Sequence, residues 1–228
     1  MKLFALDDEV AELEAGLPAQ SGLGQWKTLI EISWQLRQRD GRRAEQLADE
    51  CEAMLRVTQP LSRIEREQAL ARLQLVRAEL FWLEADLAQA ERLADSALAV
   101  FREMQDHVGS GDAKWLLAFI HGDRGDTQKR DDFLSLSAGD YRVAGDPLRE
   151  RMCTARQLLY AAFEDPSATE LRLSREHVGL GQQDAAVLAW ASSARAIAAG
   201  PAGEFGRAIG LFQESHRLAL ESGQVRQA

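Results

Sequence analysis

The chain has 228 residues, 46% hydrophobic and 28% charged, with only 5 prolines and 17 glycines, which is typical of a folded globular protein. Its formal net charge of −9 argues against nucleic acid or an anionic lipid surface as a partner. No run approaches the roughly 20 apolar residues that cross a bilayer. Cys51 and Cys153 lack disulfide or metal-ligand spacing, and acidic residues 7–9 interrupt the apolar start, so we expect a cytoplasmic protein without a signal peptide.

Apolar residues recur at three- and four-residue spacing along almost the whole chain, which predicts helices and no strands. In chain order, the pattern indicates about eleven helices, whose ends are uncertain by roughly 2 to 4 residues. They span approximately 5–16, 23–39, 42–57, 62–84, 87–106, 112–123, 127–140, 147–163, 166–177, 181–199 and 204–222.

Several helix ends carry recognisable capping residues. Ser62 and Glu65 have the spacing of a capping box, in which each side chain bonds the other's backbone amide. Asp146-Pro147 and Asp165-Pro166 each place an N-cap carboxylate before a proline at the first helical position. Gly223 is a suitable helix stop. The short connections between these signals predict antiparallel neighbouring helices.

The helices repeat in pairs. A turn containing Asp or Gly stands about four residues before Ala44, Ala90 and Ala208, and more weakly before Arg130, and an amphipathic helix follows each turn. Successive positions are separated by 46, 40 and 78 residues, the last being two units of 39. Because one helix pair cannot bury its own apolar face, repetition of this kind predicts stacking into a continuous core.

These features resemble the tetratricopeptide repeat (TPR), in which a turn leads to a small residue where the second helix crosses the first. The best match is Gly203, Glu204, Phe205, Ala208 and Phe212. The repeats are longer than the regular 34 residues and are similar to those of bacterial regulatory proteins, including modules that precede diguanylate cyclase (GGDEF) domains. The resemblance implies an all-α, right-handed solenoid of about five antiparallel helix pairs.

The resemblance also implies a division of the chain. Residues 1–20 would be an acidic N-terminal cap helix, residues 21–223 the repeat domain, and residues 224–228 the start of a linker or of a truncated helix.

Candidate motifs for chemistry are weak. The segment 22–28 resembles a phosphate-binding loop, but Trp26 precedes the lysine and no strand leads into it, so it predicts a helix start. The segment 109–112 is interpreted as a loop that ends at the N-cap Asp112. The histidines show no metal-binding spacing; they are His107, His121, His177 and His216. We therefore expect no enzyme activity, no cofactor and no metal.

A binding face follows from the repeat register. If Ala78, Ala118 and Ala196 are the small first-helix positions, helical geometry places a set of aromatic and charged residues on the face that would line a concave groove. Rigid aromatics beside arginines are typical of binding surfaces. The predicted groove residues are Arg72, Glu79, Trp82, Trp115, Phe119, Arg149, Arg156, Tyr160 and Trp190. The alternative for each tryptophan is packing between repeats.

The function that this pattern favours is a non-catalytic regulatory module that binds a protein or peptide in its groove, or forms a homodimer. One alternative is the N-terminal sensory or dimerisation domain of a longer signalling protein such as a diguanylate cyclase. Another is a helical small-molecule-binding domain or enzyme, which a deep pocket with converging titratable groups would support. The net charge suggests a basic partner, whereas the groove arginines suggest acidic peptide ends.

Overall fold

A computed structural model describes residues 1–57, 62–176 and 184–228 of the chain. These residues form eleven α-helices and one short 3-10 helix, and none of them lies in a strand, which confirms the all-α prediction. The helices are α1 (Asp7–Gly16), α2 (Gly22–Leu36), α3 (Gly41–Val57), α4 (Arg63–Leu83), α5 (Leu87–Glu103), α6 (His107–Asp123), α7 (Thr127–Ala144), α8 (Pro147–Glu164), α9 (Pro166–Glu176), α10 (Ala185–Ala199) and α11 (Phe205–Glu221), with the 3-10 helix Leu17–Ala19 after α1.

The predicted caps are confirmed. The Glu65 amide donates to the Ser62 hydroxyl over 3.2 Å, and the Glu65 carboxylate accepts from the Ser62 amide over 3.0 Å. Asp146 accepts from the backbone amide of Arg149, and Asp165 caps α9 in the same way. Each bond satisfies an amide that the first turn of a helix leaves without a partner.

The predicted loop at residues 109–112 is wrong, because α6 begins at His107 and runs through it. The N-cap is Asp106 rather than Asp112, and its carboxylate accepts from the Gly109 amide over 2.8 Å. Asp112 therefore lies one and a half turns inside a helix, where it is buried.

Two glycines in α6 suggested a loop but serve packing instead. The Phe101 ring of α5 lies against Gly109, and the Tyr141 ring of α7 lies against Gly111, each where a Cβ atom would collide with it. The helix tolerates both glycines because the close approach of neighbouring rings compensates for their low helix propensity.

Packing follows chain order. Consecutive helices from α1 to α11 contact one another, and α2 also contacts α4, α4 contacts α6, and α8 contacts α10. One hydrophobic core runs from residue 3 to residue 194, and a small second cluster lies under α11. Among the described residues, no helix is both long enough and apolar enough to cross a membrane.

The repeated small-residue positions are all buried in contact regions between helices. Ala44, Ala90, Arg130 and Ala208 each donate their amide to the turn residue four positions earlier, and Thr169 does the same. Thr169 lies 39 residues after Arg130 and 39 before Ala208. In α9, Thr169 therefore occupies the repeat position that Ala44, Ala90, Arg130 and Ala208 occupy in their helices, and the sequence comparison did not identify it.

Arg130 occupies a position where the other segments have a small residue. Its side chain passes against Gly122 of α6, which leaves room because it has no Cβ. The guanidinium carbon then lies 3.7 Å from the centre of the Tyr160 ring in α8. Glycine on the facing helix thus accommodates the large residue.

Candidate functional site

The even-numbered helices present their side chains toward two segments outside the helices, residues 1–6 and residues 222–228. We call this surface the inner face. It consists of the side chains of α2, α4, α6, α8 and α10 that contact those two segments or line the cavity described below, together with Arg37 and Gln38, which follow α2. All nine predicted groove residues lie on or next to it.

The N-terminal segment enters the interior of the protein. The predicted cap helix starts at Asp7, and Leu3, Phe4 and Ala5 precede it as buried, non-helical residues. The Arg37 guanidinium lies 4.6 Å from the centre of the Phe4 ring. This helix start is later than predicted because the backbone of residues 2–5 bonds to side chains of the inner face instead of to its own helix.

Side chains at the end of α2 hold this segment by its backbone. The Gln35 amide donates to the Lys2 carbonyl over 2.8 Å and its oxygen accepts from the Ala5 amide over 2.9 Å. Arg37 donates to the Leu3 carbonyl over 3.1 Å. Such bonds hold a non-helical segment through backbone groups that every residue except proline possesses.

Asp112 is the centre of a buried ion cluster that joins four helices. One carboxylate oxygen accepts from Arg72 over 2.5 Å, and the other accepts from Arg149 over 3.0 Å and from the Tyr141 hydroxyl over 2.8 Å. Burial opposes ionisation of Asp112, but Arg149 and Arg72 outweigh it and hold its pKa below the ordinary value. Arg149 also donates to the carbonyl of Met1.

A second ion pair neutralises Glu79. Arg37 donates to one Glu79 oxygen over 2.6 Å, and Gln38 donates to the other over 2.5 Å. Burial lowers the pKa of Arg37, and the nearby Glu79 carboxylate opposes this shift. Three predicted groove residues, Arg72, Glu79 and Arg149, are therefore engaged in buried ion pairs rather than exposed in an open groove.

Four of the predicted aromatic groove residues line a cavity of about 250 Å³; they are Trp82, Trp115, Phe119 and Trp190. The Phe119 ring lies 5.0 Å from Trp82, 5.0 Å from Trp115 in an edge-to-face arrangement, and 6.2 Å from Trp190 between ring centres. These distances fall within the range of favourable aromatic pairs. The aromatic part of the cavity wall therefore comes mainly from α4, α6 and α10.

Arg156 of α8 adds a positive charge to the cavity wall. Its guanidinium carbon lies 3.9 Å from the Trp190 ring centre and 4.5 Å from that of Phe119, and one nitrogen donates to the Tyr160 hydroxyl over 2.6 Å. Its Nε atom is buried without a hydrogen-bond partner. Burial lowers the pKa of Arg156 to about 10, against the opposing effect of Tyr160.

The C-terminal segment closes the cavity. Gln224 accepts from the Trp190 indole over 2.7 Å. Arg226 donates to Asp123 over 2.6 Å, and its guanidinium carbon lies 4.2 Å from the Trp82 ring centre. Residues 224–228, for which the sequence suggested a linker or a truncated helix, thus lie against the inner face.

The structure brings five of the nine predicted groove residues to the cavity wall, and places Tyr160 beside Arg156. The wall also contains residues that sequence reasoning missed: Phe4, Gln38, Asp123, Gln224, Arg226 and Gln227. Most of these lie in segments between or outside helices, where no helical periodicity indicates which face a side chain occupies.

Within residues 1–57, 62–176 and 184–228, no cluster of three or more His, Cys, Asp or Glu is arranged to hold a metal ion. His177 lies outside the described residues. Cys51 and Cys153 are buried, and burial raises the pKa of each thiol to about 12, which disfavours the reactive thiolate.

Comparison with known proteins supports only the fold. No family model matches the chain, and no curated protein matches it. Among solved structures, the chain is similar to BtubC (BKLC) from P. vanneervenii, with a TM-score of 0.59 and 15% sequence identity over 95% of this chain and 91% of that chain. At this identity the likeness extends to the helical fold and not to function.

Proposed function

We propose that this chain is a non-catalytic regulatory module that binds a protein or peptide segment on its inner face. The helices would form a right-handed, TPR-like solenoid of about five antiparallel pairs, and the inner face would be its concave side. The observation that supports the proposal is the chain's own N-terminal segment, which lies on this face as a non-helical peptide bound through its backbone.

The contacts to that segment favour a particular kind of partner. Backbone carbonyls and amides are bound by Gln35 and Arg37, while Leu3 and Phe4 supply buried apolar side chains. The carboxylates that pair with Arg37, Arg72 and Arg149 come from the chain itself, above all from Asp112. A partner that replaces the N-terminal segment would therefore be recognised there by its backbone and its apolar side chains, and not by acidic ends.

In this proposal the N-terminal segment is an intramolecular competitor. A tethered segment has an effective concentration in the range of about 1 mM, so it excludes weakly binding partners until it is displaced. Binding would then be coupled to release of residues 1–6, which gives the module a regulated state.

The test uses the full-length chain with Leu3→Asp and Phe4→Asp, which removes the buried apolar anchors of the segment. A fluorescently labelled synthetic peptide of residues 1–8 should bind this variant in polarisation assays and bind the wild-type chain at least 10-fold more weakly, because the wild-type site is occupied. Circular dichroism checks that the variant remains helical.

Two controls make the result specific. Leu6→Asp changes an exposed residue of the same segment and should leave the wild-type behaviour unchanged. A peptide that itself carries Asp at positions 3 and 4 should not bind. If the folded double variant does not bind the unmodified peptide of residues 1–8, the inner face is not a peptide site.

A further inference from the structure

We propose that the cavity between Trp82, Trp115, Phe119 and Trp190 is a binding site for a small aromatic carboxylate, with the carboxylate on the Arg156 guanidinium. This site goes beyond the peptide proposal and does not depend on it. The segment of residues 1–5 is held mainly by the end of α2. The cavity is walled mainly by α4, α6, α8, α10 and the segment after α11, and Phe4 and Gln38 also line it.

The first argument is an unbalanced charge. Arg156 makes no ion pair among the described residues, and Tyr160 is its one hydrogen-bond partner there. The nearby carboxylate, Asp123, already accepts from Arg226 and from the Trp82 indole. Because an enclosed cation without a counter-ion is costly, the cavity favours a ligand that brings a negative charge.

The second argument is the geometry of the available donors. Arg156 has five N–H donors in one plane, and the Tyr160 hydroxyl accepts from one nitrogen only. Its Nε is buried and unpaired, and the side chain lines the cavity. A planar carboxylate is the group that matches a guanidinium edge with two parallel hydrogen bonds.

The third argument concerns the body of the ligand. Three tryptophans and a phenylalanine form most of the apolar wall, and aromatic faces and edges pack favourably against a flat ring. The volume of about 250 Å³ equals roughly eight water molecules in the liquid. One ring with a short carboxylate arm fills that space, and larger cofactors exceed it.

The test adds phenylacetate as the probe to the 228-residue chain. Its binding is measured by tryptophan fluorescence and by calorimetry. Phenylacetate should bind saturably, while phenylacetamide, a neutral molecule of almost the same shape, should bind about 10- to 100-fold more weakly, which is the worth of a charge-assisted hydrogen bond. Absence of phenylacetate binding, or equal binding of the two probes, would overturn the proposal without bearing on the peptide assay.

Variants provide the second measurement. Arg156→Met should weaken phenylacetate binding by about 10- to 100-fold and remove the preference over phenylacetamide. Arg151→Met is the matched control, since Arg151 is a half-buried arginine of the same helix outside the cavity wall. A folded Arg156→Met protein that still binds phenylacetate more tightly than phenylacetamide would contradict the site. An equal weakening of phenylacetate binding in Arg151→Met would contradict it as well. Should Arg156→Met fail to fold, the acid–amide comparison on the wild-type chain still decides.

Discussion

At the scale of single residues, Asp112 has the largest structural consequence. It is fully enclosed between Arg72 of α4, Tyr141 of α7 and Arg149 of α8, so one carboxylate ties together four helices. A buried ion pair adds little stability compared with an apolar pair, but removing one partner leaves an uncompensated charge. The residue thus matters for specifying how these helices meet.

Asp112→Asn should therefore lower the free energy of unfolding by about 3 to 5 kcal/mol, because Arg72 loses its counter-ion and Arg149 keeps only Asp146. Urea denaturation followed by circular dichroism measures the change. Asp132→Asn, at an exposed position of α7, should change stability by no more than about 0.5 kcal/mol. Equal effects of the two substitutions would show that the buried cluster contributes nothing specific.

The same carboxylate predicts the acid sensitivity of the fold. The pKa of Asp112 is below its ordinary value of 3.8, so its contribution to stability is complete above that value and is lost as the pH falls through the lower, folded-state pKa. Between about pH 5 and pH 2 the wild-type chain should lose more stability than Asp112→Asn. Parallel stability profiles for the two proteins would contradict this assignment.

At the scale of elements, α6 shows how glycine permits close packing inside a helix. Gly111 lies under the Tyr141 ring, whereas Gly139 in α7 faces open space. The two positions carry the same residue in the same secondary structure, and they differ only in what a Cβ atom would meet. Ring contact, rather than helix propensity, explains the glycines of α6.

Alanine at these positions should have opposite effects. Gly111→Ala forces the Tyr141 ring to move and should destabilise the protein by about 1 to 3 kcal/mol. Gly139→Ala should stabilise it by about 0.5 to 1 kcal/mol, through the greater helix propensity of alanine. Thermal unfolding distinguishes the signs, and a stabilising Gly111→Ala would refute the packing explanation.

At the scale of the whole molecule, segments far apart in the sequence meet across the inner face. Arg39, just after α2, donates to the carbonyls of Ala5 and Glu221 and to the Asp7 carboxylate. Arg226 reaches back to Trp82 and Asp123. The Arg39 contacts link residues 5–7 to the end of α11, and the Arg226 contacts cover one side of the cavity.

Arg226→Ala should loosen this closure without unfolding the helices. The lost cation–π contact and partly exposed ion pair together are worth about 1 kcal/mol, and quenching of tryptophan fluorescence by acrylamide should increase because Trp82 loses its cover. Arg217→Ala, which removes an exposed ion pair with Glu221 on α11, should leave the quenching unchanged. Unaltered quenching in Arg226→Ala would indicate that residues 224–228 do not close the cavity.

The sequence by itself determined the helices, because periodicity, capping boxes and glycine stops act between residues three or four positions apart. Ser62, Asp146 and Asp165 therefore cap helices where their spacing predicts it. The same local reasoning failed at Gly109 and Gly111, whose neighbours come from adjacent helices.

Only the tertiary structure decided which predicted groove residues line a cavity and which are engaged in buried ion pairs. Arg72 and Asp112 are 40 residues apart, and Arg149 and Met1 are 148 residues apart. Contacts at such separations depend on how whole helices stack, and no local pattern encodes them. The aromatic and arginine residues could be identified from the sequence, but their carboxylate partners and the segments that cover them could not.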